Sequence, residues 1–286
     1  MRKNVKKQLA LRVLSTAALV AMVSSIATAA FADTYDLTKG SVDILAEGGE
    51  QRITQWEDKD KGTYVTDDKG AIKNRKDTDI TLTTKDETTD ETKTTHNTVT
   101  IDAKEGNTAN VTLQDVHIES SSKWSSDPAP IEIKGNGDTK LELNGNNTVF
   151  SGNEDHAGIE KADLNGTGTL TIKDDVNDDN ITAKTGTEAD TTGKLLAGGY
   201  HNSAAIGGGS DTYNREYSLA DTSNITITGG DITAIAGCDG AAAIGGGCSG
   251  TGKNIRIEGN AHVTAASADG AAVGGGFGSG NSVTIT

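Results

Sequence analysis

AAAIGGG, Ala241 to Gly247, is the stretch on which the fold turns. Two further versions stand at Ser203 to Gly209 (SAAIGGG) and Ala271 to Gly276 (AAVGGG). Each joins two or three small residues, one β-branched apolar residue and three glycines. Each also travels with a strand-like phrase: NITITGG from Asn224, NIRIEGN from Asn254 and NSVTIT from Asn281. The apolar residues recur 38 residues apart from Ile206 to Ile244 and 29 apart from Ile244 to Val273. Self-similarity at such a period marks a repeat architecture. The 29-residue unit has short alternating strands and no helical pattern, so Ile, Val and Ala can point inward while Thr, Asn and Arg point out. Glycines supply the positive-φ corners. A unit of this kind cannot bury its apolar side alone and must stack on a copy of itself. The expected fold is therefore all-β, a right-handed parallel β-helix, with Ile159, Ile206, Ile244 and Val273 in one ladder and Ser210 to Ser223 inserted at a corner.

Working outward, residues 1–32 read as a signal peptide: five basic residues and no acid, an apolar run from Val13 to Ile26, then ATAAFA before Asp33. The run is broken by serines and threonine and is too short for a membrane anchor. No transmembrane segment is expected in the mature chain, which reads as secreted or held at the cell surface. Removing the five positive charges takes the net charge from −15 to −20. Such a surface repels phosphate backbones, so nucleic acid is not an expected partner. Residues 33–98 read as an N-terminal cap and first coils, with strands at Ser41–Leu45, Arg52–Gln55, Thr63–Thr66 and Asp79–Thr83 and a solvated excursion from Lys85 to Asn97. Residues 99–286 read as the β-helix with Gly-rich repeats. The chain stops at Thr286 inside a strand phrase, so either more sequence follows or this is a fragment.

Oxygen-rich clusters point to a hard cation. Asp174, Asp175, Asn177, Asp178 and Asp179 in KDDVNDDN place carboxylates at alternate positions of a tight loop, as calcium requires, although Asn180 and Gly186 replace the Gly and Glu of a complete calcium loop. Asp155, Asn202 and Asp269 precede the ladder residue by four positions and Asp239 by five, so stacked coils would align their oxygens in a row. A solvated acidic turn and an Asx-turn ladder are the plain alternatives for the two sets. GGFGSGNSV from Gly275 lacks the Asp of a calcium nonapeptide and is set aside. Cys238 and Cys248 flank the middle repeat; they can form a disulfide in an oxidising compartment or fill a coil as free thiols. Two thiols and scattered histidines make no zinc case.

Aromatics are 3% of the chain, so the few rings in loops stand out as sugar contacts: Trp124, Tyr200, Tyr213 and Tyr217. No nucleophile elbow, HExxH or phosphate loop is present. A lyase would need calcium and a base, for which Arg256 beside Lys253 is the available group. No enzyme activity is expected.

The run from Asn110 to Ile181, particularly NVTLQDVHIES, IEIKGNGDTKLELNGNNTVFSG, HAGIE and NGTGTLTIKDD, resembles the secreted calcium-binding, carbohydrate-binding β-helix proteins of anaerobic Gram-positive bacteria. KGTYVTDD from Lys61 is like their opening coils, and the Gly-rich phrases from Ser203 look like those of large β-helical surface proteins of the same bacteria. The resemblance implies a β-helix that binds acidic plant polysaccharide, pectic in kind, without cleaving it. A structural adhesin or stalk that contacts a host or cell-wall surface is the alternative, and a polysaccharide lyase the second.

Overall fold

From Val99 onward three sheets share the chain in strict rotation. A computed structural model describes residues 33–286 except 87, 121–127, 154, 163–165, 175–192, 211–219 and 278–280. Apart from a 3-10 turn at Leu37–Lys39, the described secondary structure is all strand. From Val99 onward the chain enters sheet III at Val99–Ala103, sheet I at Thr108–Gln114 and sheet II at His117–Glu119. It then returns to sheet III at Ile131–Lys134 and repeats the circuit. Every pairing between successive circuits is parallel. This all-β topology of long parallel sheets is compatible with a parallel β-helix.

The registers place like on like. In sheet III, Ile131 pairs with Ile159, Ile159 with Ile206, Ile206 with Ile244 and Ile244 with Val273. The ladder expected from the repeats therefore exists, and Val42 and Val99 extend it. In sheet I the column runs Ile80, Val111, Leu141, Ile172, Ile227, Ile257 and Ile285. In sheet II it runs Ile118, Val149, Ala197, Ala234 and Ala265. Alternate residues of each strand thus meet in one core, and residues between them face out. Uneven spacing in sequence does not disturb the columns, because the extra residues lie between strands.

The repeated glycines have a second cause besides turning. Gly207 and Gly245 lie at φ +132° and +137°. A Cβ on Gly207 would sit 2.1 Å from the carbonyl oxygen of Gly245, and one on Gly245 would sit 1.8 Å from that of Gly274. The backbones of successive circuits approach so closely that no side chain fits.

At its N-terminal edge sheet III is covered by an antiparallel strand. Glu50–Asp58 turns back on Ser41–Glu47 through Gly48 and Gly49, and it in turn pairs antiparallel with Thr63–Tyr64 and Arg75–Lys76. Its buried Gln51 exchanges two hydrogen bonds with the backbone of Asn110: Nε2 donates to the carbonyl at 3.0 Å and Oε1 accepts from the amide at 2.7 Å. Within the Lys85–Asn97 excursion residues 88–94 and His96 are exposed, whereas Thr95 is buried and bridges in parallel to Ile118. No helix among the described residues is long and apolar enough to cross a membrane.

Candidate functional site

Outer residues of sheet II form a column that holds two large apolar side chains, Phe150 and Ile235. Glu119, Phe150, Gly198, Ile235 and Ala266 are register partners, beside His117, Thr148, Leu196, Thr233 and Thr264. Ile235 is 43% exposed, although its neighbour Ala234 is fully buried. Phe150 lies against the next circuit at Gly198, where a Cβ would fall 2.2 Å from ring atoms Cδ1 and Cε1. The glycine makes room for the ring. Phe150, Leu196 and Ile235 were not singled out in the sequence. Their signal was the alternation itself, since an apolar residue next to a core position must face outward.

Two residues beyond Gly198 the chain turns from sheet II toward sheet III, and this corner carries polar chemistry. Tyr200, 37% exposed, meets the His201 ring edge-on with centroids 4.3 Å apart. In the next circuit Cys238 and Asp239 occupy the same corner. His201 Nδ1 lies 3.5 Å from Asp239 Oδ2, and the Cys238 thiol donates to that same oxygen at 3.4 Å. His201 and Asp239 both adopt left-handed backbone, at φ +45° and +71°. Among L-residues, Asn, Asp and His enter that region most readily. The hydrogen bond from the thiol to the Asp239 carboxylate holds the Cys238 pKa above the usual thiol range. A nucleophilic cysteine needs the imidazole against the sulfur. Here the carboxylate sits between them, an order that opposes thiolate formation.

The other expected site residues fall as follows. Cys238 and Cys248 are free, so of the two readings the structure has the unbridged one. Each thiol is engaged beside its own loop neighbour, Asp239 for Cys238 and Ser249 for Cys248. Asp155 is buried, its amide donating to Asn153 Oδ1 at 3.2 Å and its carbonyl accepting from Ser210 at 2.7 Å. The Asn202 carbonyl accepts from the Cys248 amide at 2.7 Å, and Asp269 is exposed. Among the described residues, the His, Cys, Asp and Glu side chains that gather three ligand atoms within 4.8 Å are His201, Cys238 and Asp239; Asp155 and Asp269 stand outside that group. Asp174 Oδ2 accepts from the Gly193 amide at 3.1 Å, which ties down the end of a sheet I strand. Asp175, Asn177, Asp178, Asp179, Trp124, Tyr213 and Tyr217 lie outside the described residues.

Elsewhere the charges answer one another. Arg256, the base considered for a lyase, pairs with Glu258 at 3.0 Å. A cleft of about 490 Å³ near the N-terminal end is bordered by Lys39, Asp67, Lys85 and Asp86, and one of about 380 Å³ by Asp43, Lys59, Glu132 and Lys134. The lysines of the second are paired, Lys59 to Asp43 at 3.0 Å and Lys134 to Glu132 at 2.8 Å.

One buried pair makes stability depend on pH. Glu160 is 2% exposed and stands where Gly207 stands one circuit later. Its Oε2 lies 2.9 Å from His156 Nδ1 and accepts from the Ala157 amide at 3.1 Å. Burial works against a charged His156 ring, but the Glu160 carboxylate outweighs it, helped by Glu132 and Asp155, and the pKa is raised above the ordinary histidine value of 6.5. A raised histidine contributes stability that is fully present below the unfolded pKa and is lost as pH rises through the folded one. Urea melts are therefore expected to weaken from about pH 6 upward through the neutral range, with Glu160→Gln flattening that slope. An unchanged slope in Glu160→Gln would remove the pair as its source.

Protein-family models, curated proteins and solved structures were compared with the chain, and none matches it.

Proposed function

We propose that the three sheets close into a right-handed parallel β-helix, and that this is an exported, non-catalytic protein that binds acidic extracellular polysaccharide along sheet II. The observation that carries the reading is the outer column of that sheet, where Phe150 and Ile235 present apolar surface, with the exposed Tyr200 two residues beyond Gly198 of the same column. Pyranose rings bind by laying their apolar faces on such side chains, while hydroxyls reach polar neighbours. Thr148, Thr233 and Thr264 line the adjacent column and supply those neighbours. The acidic balance of the chain, −15 overall, supports a cation between protein and glycan, and calcium is the cation proposed for that bridge.

Binding to polygalacturonate on a glycan array, run in calcium and then in chelator, tests the reading. Binding is expected in calcium, lost in chelator and restored by calcium. The double variant Phe150→Ala, Ile235→Ser is expected to bind at least about tenfold more weakly, the loss of roughly 1.4 kcal/mol of contact. Binding that ignores both chelator and the double variant would refute the proposal. Failure to bind any glycan would favour the structural adhesin.

A further inference from the structure

The parallel register brings a mixed nitrogen, sulfur and oxygen donor set to one point. Gly198 and Ile235 are partners in sheet II, 37 residues apart, and three residues beyond each of them stand His201 and Cys238. Successive circuits thus deliver an imidazole and a thiol to the same corner, and Asp239 follows with a carboxylate. We infer that His201, Cys238 and Asp239 form a binding site for a borderline divalent transition metal, of which zinc(II) is the representative, with its fourth position open to an external ligand.

Three physical points support the assignment. The first is geometry. Zinc bonds of about 2.3 Å to sulfur and about 2.0–2.2 Å to nitrogen or oxygen, set tetrahedrally, place ligand atoms about 3.4–3.6 Å apart. The separations here are 3.5 Å from His201 Nδ1 to Asp239 Oδ2 and 3.4 Å from Cys238 Sγ to the same oxygen, with all three ligand atoms inside 4.8 Å. Two of the three ligand–ligand separations thus already match those of a tetrahedral zinc site. The second is chemistry. Calcium wants six to eight oxygens, and a thiol with an imidazole is a poor host for it, whereas sulfur and nitrogen donors suit zinc. This separates the corner from the calcium bridge proposed above, and the assignment does not depend on that bridge.

The third point is preorganisation. Left-handed backbone at both His201 and Asp239 turns the two side chains of different circuits toward each other, and the edge of Tyr200 packs against the His201 ring. Cys238 and Asp239 are exposed, so an ion has a path in from solvent and three protein donors leave a coordination place free. A carboxylate or hydroxyl of a bound molecule fits that place, within reach of Tyr200.

Titration of the reduced protein with cobalt(II), followed by zinc(II) competition, tests the site. One equivalent of cobalt is expected to give a near-ultraviolet thiolate-to-metal charge-transfer band and tetrahedral visible bands, both removed by zinc. Cys238→Ser is expected to abolish the charge-transfer band, and His201→Ala to weaken binding at least tenfold, with unchanged far-ultraviolet circular dichroism. Cys248→Ser is expected to keep the band. Should a variant fail to fold, zinc protection of Cys238 from alkylation in the unmodified protein, read by mass spectrometry, decides the matter. No charge-transfer band in the unmodified protein, a band that survives Cys238→Ser, or alkylation of Cys238 at the same rate with and without zinc would overturn the assignment. None of these readouts involves a glycan, so failure here and failure of polysaccharide binding are separate results.

Discussion

Gly245→Ala is expected to cost about 4 kcal/mol, the sum of strained backbone and enforced movement of a packed neighbour at about 2 kcal/mol each. For a domain of this size that is a fall in melting temperature of about 8–16 °C. The alanine Cβ would lie 1.8 Å from the Gly274 carbonyl oxygen. That atom belongs to the backbone of the next circuit and cannot rotate away as a flexible side chain would. Gly49→Ala is the control. Gly49 also has positive φ, at +77°, but nothing lies within 4 Å of its Cβ position. Its substitution carries only the left-handed penalty of about 1–2 kcal/mol. The difference between the two measures the close approach together with the stricter backbone of Gly245, at φ +137°. Equal shifts in melting temperature would mean that circuits do not pack as tightly at the glycine column as described.

Ile206→Ala is expected to lower stability by about 3–4 kcal/mol, in the range for emptying a fully buried aliphatic site. Ile206 is 0% exposed and stands between Ile159 and Ile244 in the sheet III column. Val273→Ala, in the last described circuit, is expected to cost about 1 kcal/mol, because Val273 is half-buried and loses fewer contacts. Stacked repeats contact only their neighbours. Hydrogen exchange in Ile206→Ala should therefore quicken most at the amides of residues 159–160, 206–207 and 244–245. Losses below about 1 kcal/mol for Ile206→Ala, or exchange that quickens evenly along the chain, would take Ile206 out of the core.

Much of the fold was legible because the repeats are written in residue types that only stacking satisfies. Ile159, Ile206, Ile244 and Val273 align despite unequal spacing, since a column needs a matching side chain and not a matching loop. Strand positions near the N-terminus were also legible, but strand direction was not. Alternation has the same appearance in parallel and antiparallel pairs, so nothing in QRITQ announced that Glu50–Asp58 runs back against Ser41–Glu47. The glycines were read as corners, whereas Gly245 is also held to glycine by the carbonyl of another circuit.

The candidate sites divide along the same line. Tyr200 and Asp239 were visible as an exposed ring and an oxygen donor, each within a single phrase. Cys238 made no zinc case, because two cysteines are too few ligands and the histidines are scattered along the chain, and nothing in the sequence set His201 beside it. Sequence alone determined the chain's repeat nature, its inward columns and its acidity, because these depend on residue type and period. Tertiary structure decided which corners meet, since the length of each circuit sets which side chains arrive side by side. That is why an imidazole meets a neighbouring thiol and carboxylate from which the sequence separates it by a whole circuit.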